Sequence, residues 1–164
     1  MRVHVAFTPG EATRVPTGIV VDVLRATSTI VQAVDAGYGA IYCCAEVEEA
    51  QALREELGDA VLGGERGGDP LPGFDLGNSP LEYLEPRAET LVLTTTNGTR
   101  AVIQAAANCD LVLVGSMLNL DAVAFAPSEG SGRPSQRKTW SGAHGRASYP
   151  RFLASTACEA RPRA

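Results

Sequence analysis

Lysine is nearly absent from this sequence: the 164 residues hold one, Lys138, and residues 1–126 hold none, setting 7 arginines against 17 acidic residues. A body that acidic repels nucleic acid and anionic lipid, so any anion it binds must be held locally rather than drawn in by the overall field. Long apolar runs are missing too. No stretch reaches the roughly 18 apolar residues that a membrane-spanning helix needs. The opening residues MRVHVAF turn polar too soon for a signal peptide, so the cytosol is the expected compartment. The four cysteines form no Cys-x-x-C pair and have no histidine at ligand spacing, which argues against zinc. Cys43 and Cys44 are adjacent and read as reduced, partly buried thiols.

What is present divides in two. Hydrophobic residues make up 45% of the chain, enough for one sizeable core. They concentrate in residues 1–126, the expected domain. From Pro127 to Ala164 there is no Val, Ile or Met and a single leucine, Leu153, while Ser, Gly, Pro and Arg dominate. Such a segment cannot bury enough surface to offset chain entropy, so 127–164 reads as a low-complexity basic tail without a packed fold. Two explanations stay open: a native tail that binds an acidic partner, or a reading frame that slipped near residue 126.

Along residues 1–126 the pattern alternates strand and helix. Arg2–Phe7 alternates apolar and polar residues like a strand near an edge, with His4 on its polar face, and Pro9, Gly10 and Pro16 mark a loop. Gly18–Val21 is a buried-looking strand and Ser28–Ala36 a helix stopped by Gly37. Gly39–Cys44, Ala60–Leu62, Glu89–Leu93 and Asp110–Gly115 supply four more strands. Glu46–Leu57 and Ala101–Ala107 are helices, Ser79 opens a short one behind Pro80, and another starts at Met117. This rhythm predicts an α/β fold, with a mostly parallel or mixed sheet covered on both faces.

Two turns stand out. TGIVVDVLRATST, residues 17–29, ends an apolar strand in Asp22 and brings Arg25 and a hydroxyl run to the start of a helix. LVLTTTNGTRA, residues 91–101, repeats that grammar with Thr95, Thr96, Asn97, Gly98 and Arg100. Hydroxyls and free N–H groups at helix starts form anion cradles, and open α/β sheets bind ligands at this edge. Between the turns, residues 63–84 lose all periodicity and carry Glu65, Arg66, Asp69, Phe74, Asp75 and Asn78 among glycines that let backbone approach a ligand. Structural readings stand beside these: Asp22 as a helix cap, Arg25 as its ion-pair partner, Asn78 as the cap of the Pro80 helix.

The motifs DVLRATST, GGERGG, PGFDLGNSPLEY and TTTNGTRA, in this order within residues 22–101, resemble the 2-phosphosulfolactate phosphatase family, the ComB-like phosphatases of coenzyme M biosynthesis. The resemblance covers roughly residues 1–126. It implies a three-layer α/β/α domain that hydrolyses (2R)-2-phospho-3-sulfolactate to 3-sulfolactate and phosphate with Mg²⁺. It also implies roles. Asp22 is the first choice for a metal ligand, with Glu65 or Asp75 as further oxygens. Arg25, Arg66 and Arg100 would fork onto phosphate and sulfonate, and Thr27, Ser28, Asn78, Thr95, Thr96, Asn97 and Gly98 would complete the substrate cradle. The nucleophile stays open between Asp22 and metal-activated water, with water favoured because position 24 is Leu rather than a second acid. The expected partner is a small phosphorylated and sulfonated acid, with neither nucleic acid nor membrane, and an exposed sheet edge would invite a homodimer. The alternative class is a catalytically silent anion-binding or interaction protein.

Overall fold

The computed structural model describes residues 2–125; the basic tail 127–164 lies outside the described residues. Among them six strands and four α-helices follow in order: β1 Val15–Val21, α1 Ala26–Ala36, β2 Ala40–Cys44, α2 Val47–Leu57, β3 Ala60–Arg66, β4 Asp69–Pro70, β5 Thr90–Thr94, α3 Gly98–Asn108, β6 Cys109–Gly115 and α4 Leu120–Phe125. The strands fall into two separately paired parts, one mixed and one parallel, an α/β arrangement as the alternation predicts. In one part β5 lies between β2 and β3, both parallel to it, and β4 joins β3 antiparallel. In the other, β1 pairs with β6 in parallel, Val15 opposite Cys109 and Val21 opposite Gly115.

Burial explains the order. β5 reads TLVLT with no polar break at its centre, and Leu91, Val92 and Leu93 are fully buried, as a central strand covered on both faces requires. Leu91 and Leu93 face a cluster with Ile41, Cys43, Val61, Ile30 and Val102, which seats α1 and α3 on one side. Val92 faces Leu62, Ala60, Cys44 and Ala50, which seats α2 on the other. Burying each large apolar side chain contributes about 1.5–3 kcal/mol. The Tyr38 and Tyr83 rings, 6.3 Å apart and tilted, close the α1 side.

Local signals set the boundaries. Gly37 takes a left-handed φ of 110° and returns its N–H to the carbonyls of Ala33 and Val34, ending α1 as expected. A reciprocal cap between Glu46 and Glu49 opens α2. Pro16 is accommodated within β1 because that strand has a single pairing neighbour among the described residues.

Three expectations change. Residues 2–7 form no strand: Val3, Val5 and Phe7 are exposed, and alternation that pairs with no neighbouring strand and buries no face cannot hold one. β1 instead starts at Val15, within the stretch read as loop. The glycine-rich segment is not wholly irregular either. β3 continues through Arg66, and Gly67 and Gly68, both at positive φ, turn it back into β4.

Candidate functional site

The parallel strands β2, β3 and β5 end at one edge, where the segments leaving β1, β3 and β5 meet. A cavity of about 250 Å³ opens between them. Asp22 and Arg25 enter it from the β1–α1 turn, Asn78 from the loop before Pro80, and Thr96 and Asn97 from the β5–α3 turn. The two turns expected to share one ligand therefore do converge.

The convergence has a packing cause. Gly98, the first residue of α3, lies against Ala26, the first of α1, and against the Asp22 carboxylate. The hydroxyl run after Arg25 fixes the first turn from within: the Asp22 N–H donates to Thr27 Oγ1 at 2.9 Å, Ser28 Oγ donates to the Val23 carbonyl at 2.8 Å, and Thr29 Oγ1 donates to the Asn78 carbonyl at 3.0 Å. The last bond ties the Asn78 loop to α1.

Glycine permits the approach of that loop. Gly64, at φ 145°, donates to the Leu76 and Gly77 carbonyls, and a Cβ there would overlap the Thr94 carbonyl. Tyr83 Oη donates to the Gly77 carbonyl at 2.6 Å and occupies the space beside Gly63. Asn78 is thereby held at 5% exposure, with its Oδ1 buried and lacking a hydrogen-bond partner among the described residues. A buried amide oxygen without a partner costs free energy that a bound cation or donor would recover.

Several residues that the sequence assigned to the site lie elsewhere. Arg66 donates to the carbonyls of Ala45 and Glu65 and to Thr94 Oγ1, all within 2.8 Å, and braces the strand ends instead of lining the cavity. Arg100 projects from α3 to Glu46, N to O 2.8 Å, so the expected clamp of two arginines from two turns is not formed. Asp75 accepts from the Leu62 N–H at 2.9 Å and lies outside the cavity lining. Thr27 and Ser28 hold their own turn, and Thr95 is spent on Thr99, whose N–H donates to Thr95 Oγ1. These displacements share one reason: each side chain found a backbone or side-chain partner closer than the cavity.

Glu65 lines the cavity but is already occupied. Its Oε1 accepts from the Thr96 N–H at 2.8 Å, and its Oε2 accepts from the Gly68 N–H at 2.7 Å and the Thr96 hydroxyl at 3.0 Å. Burial pushes its carboxyl up, but these bonds and the neighbouring Arg66 outweigh burial and hold it below the ordinary glutamate range. Among the described residues no three acidic, histidine or cysteine side chains assemble into a metal cluster: Asp22 and Glu65 line the same cavity, and Asp75 lies outside it. The sequence reading missed Leu24, whose side chain borders the cavity and is exposed, and an apolar residue in a turn gives no signal of that role. No described helix is long and apolar enough to cross a membrane.

A family model described as 2-phosphosulpholactate phosphatase matches residues 6–132. A probable 2-phosphosulfolactate phosphatase of Carboxydothermus hydrogenoformans is 47% identical over 106 residues, which is 65% of this chain and 44% of the relative. Those of Clostridium acetobutylicum and Thermus thermophilus are 48% and 43% identical over 111 and 127 residues, covering 66% and 76% of this chain and 47% and 53% of the relatives. The chain spans about half the length of the curated relatives it matches.

Proposed function

Because the chain belongs to the 2-phosphosulpholactate phosphatase family, we propose that it acts as a Mg²⁺-dependent phosphatase on (2R)-2-phospho-3-sulfolactate, releasing 3-sulfolactate and inorganic phosphate. The observation that carries this reading is the meeting of Asp22, Arg25 and Asn78 in one cavity at the carboxyl edge of the parallel strands.

Arg25 supplies the cationic fork. Among the described residues its guanidinium makes one long contact, to the Gly68 carbonyl at 3.5 Å, and so has donors left for phosphoryl or sulfonate oxygens in the cavity it lines. The oxygens of the site suit a hard cation: the Asp22 carboxylate and the unpartnered Asn78 Oδ1 would hold Mg²⁺, which takes one or two carboxylates and keeps several waters. When bound, the ion neutralises phosphoryl charge and acidifies water. Asp22 is kept in place by its backbone bond to Thr27 and by the space at Gly98. Thr96 and Asn97 form the wall where α3 begins, and the dipole of that eleven-residue helix favours an anion there. In the reaction, water attacks phosphorus, the bond from phosphorus to the substrate's C2 oxygen breaks, and a proton lost by the water ends on that oxygen as 3-sulfolactate leaves.

The test is release of inorganic phosphate from 2-phosphosulfolactate with and without Mg²⁺. Release is expected only with the ion, and Asp22→Asn is expected to abolish it. A second reading, a catalytically silent anion-binding protein, is favoured by the presence of one cavity arginine where three were expected. Phosphate binding without release by the unaltered chain would establish it instead.

A further inference from the structure

We propose that Glu65 is a positioning residue that clamps the Gly67–Gly68 turn onto the β5–α3 turn and so sets the wall of the cavity that Arg25 touches. The inference rests on the proposed phosphatase reading for its consequence, although the clamp itself is a matter of geometry. One carboxylate joins two segments: it receives the N–H and hydroxyl of Thr96, 31 residues along the chain, from one and the Gly68 N–H from the other. Thr96 Oγ1 completes the loop by accepting from the Gly67 N–H at 2.8 Å. A carboxylate has about four lone-pair sites, and three are used here, which leaves little capacity for a metal ion.

The residue types fit a clamp. A positive φ at both Gly67 and Gly68 is what brings two successive N–H groups down toward Thr96 and Glu65. An ionised carboxylate is the acceptor that binds such N–H groups most strongly. Gly68 then turns its carbonyl toward Arg25, so the clamp reaches the guanidinium through one backbone residue. Releasing Glu65 would free the tip, loosen the Arg25 contact and let Thr96 turn its N–H into the cavity.

Two measurements test this. Amide hydrogen exchange on the full, unaltered chain should show Gly68 and Thr96 protected, because their N–H groups are bonded even though Gly68 itself is exposed. Exchange at unstructured-peptide rates would overturn the clamp, whatever the activity. In Glu65→Gln, which replaces one acceptor oxygen by a donor, that protection should be lost, and kcat for phosphate release should fall on the order of 100-fold through mispositioning. The Mg²⁺ concentration giving half-maximal rate should stay within about twofold, since a positioning residue does not bind the ion. Should the variant keep kcat and need roughly tenfold more Mg²⁺, Glu65 is a metal ligand and the proposal fails. If the unaltered chain releases no phosphate under any condition, the phosphatase reading fails while hydrogen exchange still decides the clamp.

Discussion

Gly98 and Ala26, the first residues of α3 and α1, touch so closely that a methyl group on Gly98 would overlap that of Ala26. The two helix starts are thus packed together by the absence of a side chain, and a Cβ at Gly98 would also fall 2.6 Å from Asp22 Oδ2. Gly98→Ala should therefore cost about 1–3 kcal/mol of stability through overpacking. Urea unfolding measures that cost. Because the intruding methyl displaces Asp22, phosphate release should fall further than the lost stability accounts for.

Gly64→Ala should be more damaging still. The Thr94 carbonyl blocks the new methyl and the φ of 145° disfavours any side chain, so a cost of roughly 3 kcal/mol or more is expected. Loss of cooperative unfolding, or a large drop in soluble folded protein, is the readout.

At Asn78 the prediction separates binding from folding. The Oδ1 is buried without a partner, so removing it relieves a desolvated oxygen while losing some packing. Asn78→Ala should change stability by less than about 1 kcal/mol, measured by denaturant. The Mg²⁺ concentration needed for half-maximal phosphate release should nevertheless rise at least about tenfold, because the carbonyl donor is gone.

Two arginines offer a contrast. Arg100 and Glu46 are 44% and 57% exposed, so Arg100→Ala should cost less than about 1 kcal/mol, and less again in high salt. Arg25→Ala removes the guanidinium from the cavity and should lower phosphate release on the order of 100-fold or more. Steady-state assays on the two variants compare them directly.

Alkaline pH supplies a test of the core. Burial raises the thiols of Cys43 and Cys44 from 9.0 to about 12, with the neighbouring thiol adding to the first and Glu49 to the second. In the unfolded chain both ionise near pH 9 while the folded chain keeps them neutral, so the unfolded state binds fewer protons. Stability should then fall as pH rises from 9 toward 12, with a limiting slope of about 1.4 kcal/mol per pH unit for each thiol. The same burial should protect both from alkylation at neutral pH until the chain unfolds.

The helices and central strands were legible because each satisfies a local rule: Gly37 stops α1, the amphipathic spacing of Glu46–Leu57 marks α2, and the unbroken LVL of β5 demands burial. The meeting of the Asp22 and Asn97 turns was legible as well, since both repeat one strand, turn and helix pattern. The competition for each polar side chain was not. Nothing local distinguishes Arg25, which among the described residues makes only the long contact to Gly68, from Arg66, which spends its donors on Ala45 and Thr94 more than twenty residues away in sequence. For the same reason Asp75 and Glu65 looked alike as oxygens, although one is bonded to Leu62 and the other to Gly68 and Thr96. The alternation in residues 2–7 misled because a period of two describes a strand only where a neighbouring edge exists.

Arg66 has a mechanical consequence. Fastened to the Ala45 carbonyl just past β2 and to Thr94 at the end of the adjacent β5, it immobilises the root of the β3–β4 hairpin, while the two glycines beyond it are held through their backbone alone. Any flexing of that hairpin must pivot past residue 66, so an opening stroke at the ligand would be confined to a few residues and leave the sheet beneath it still.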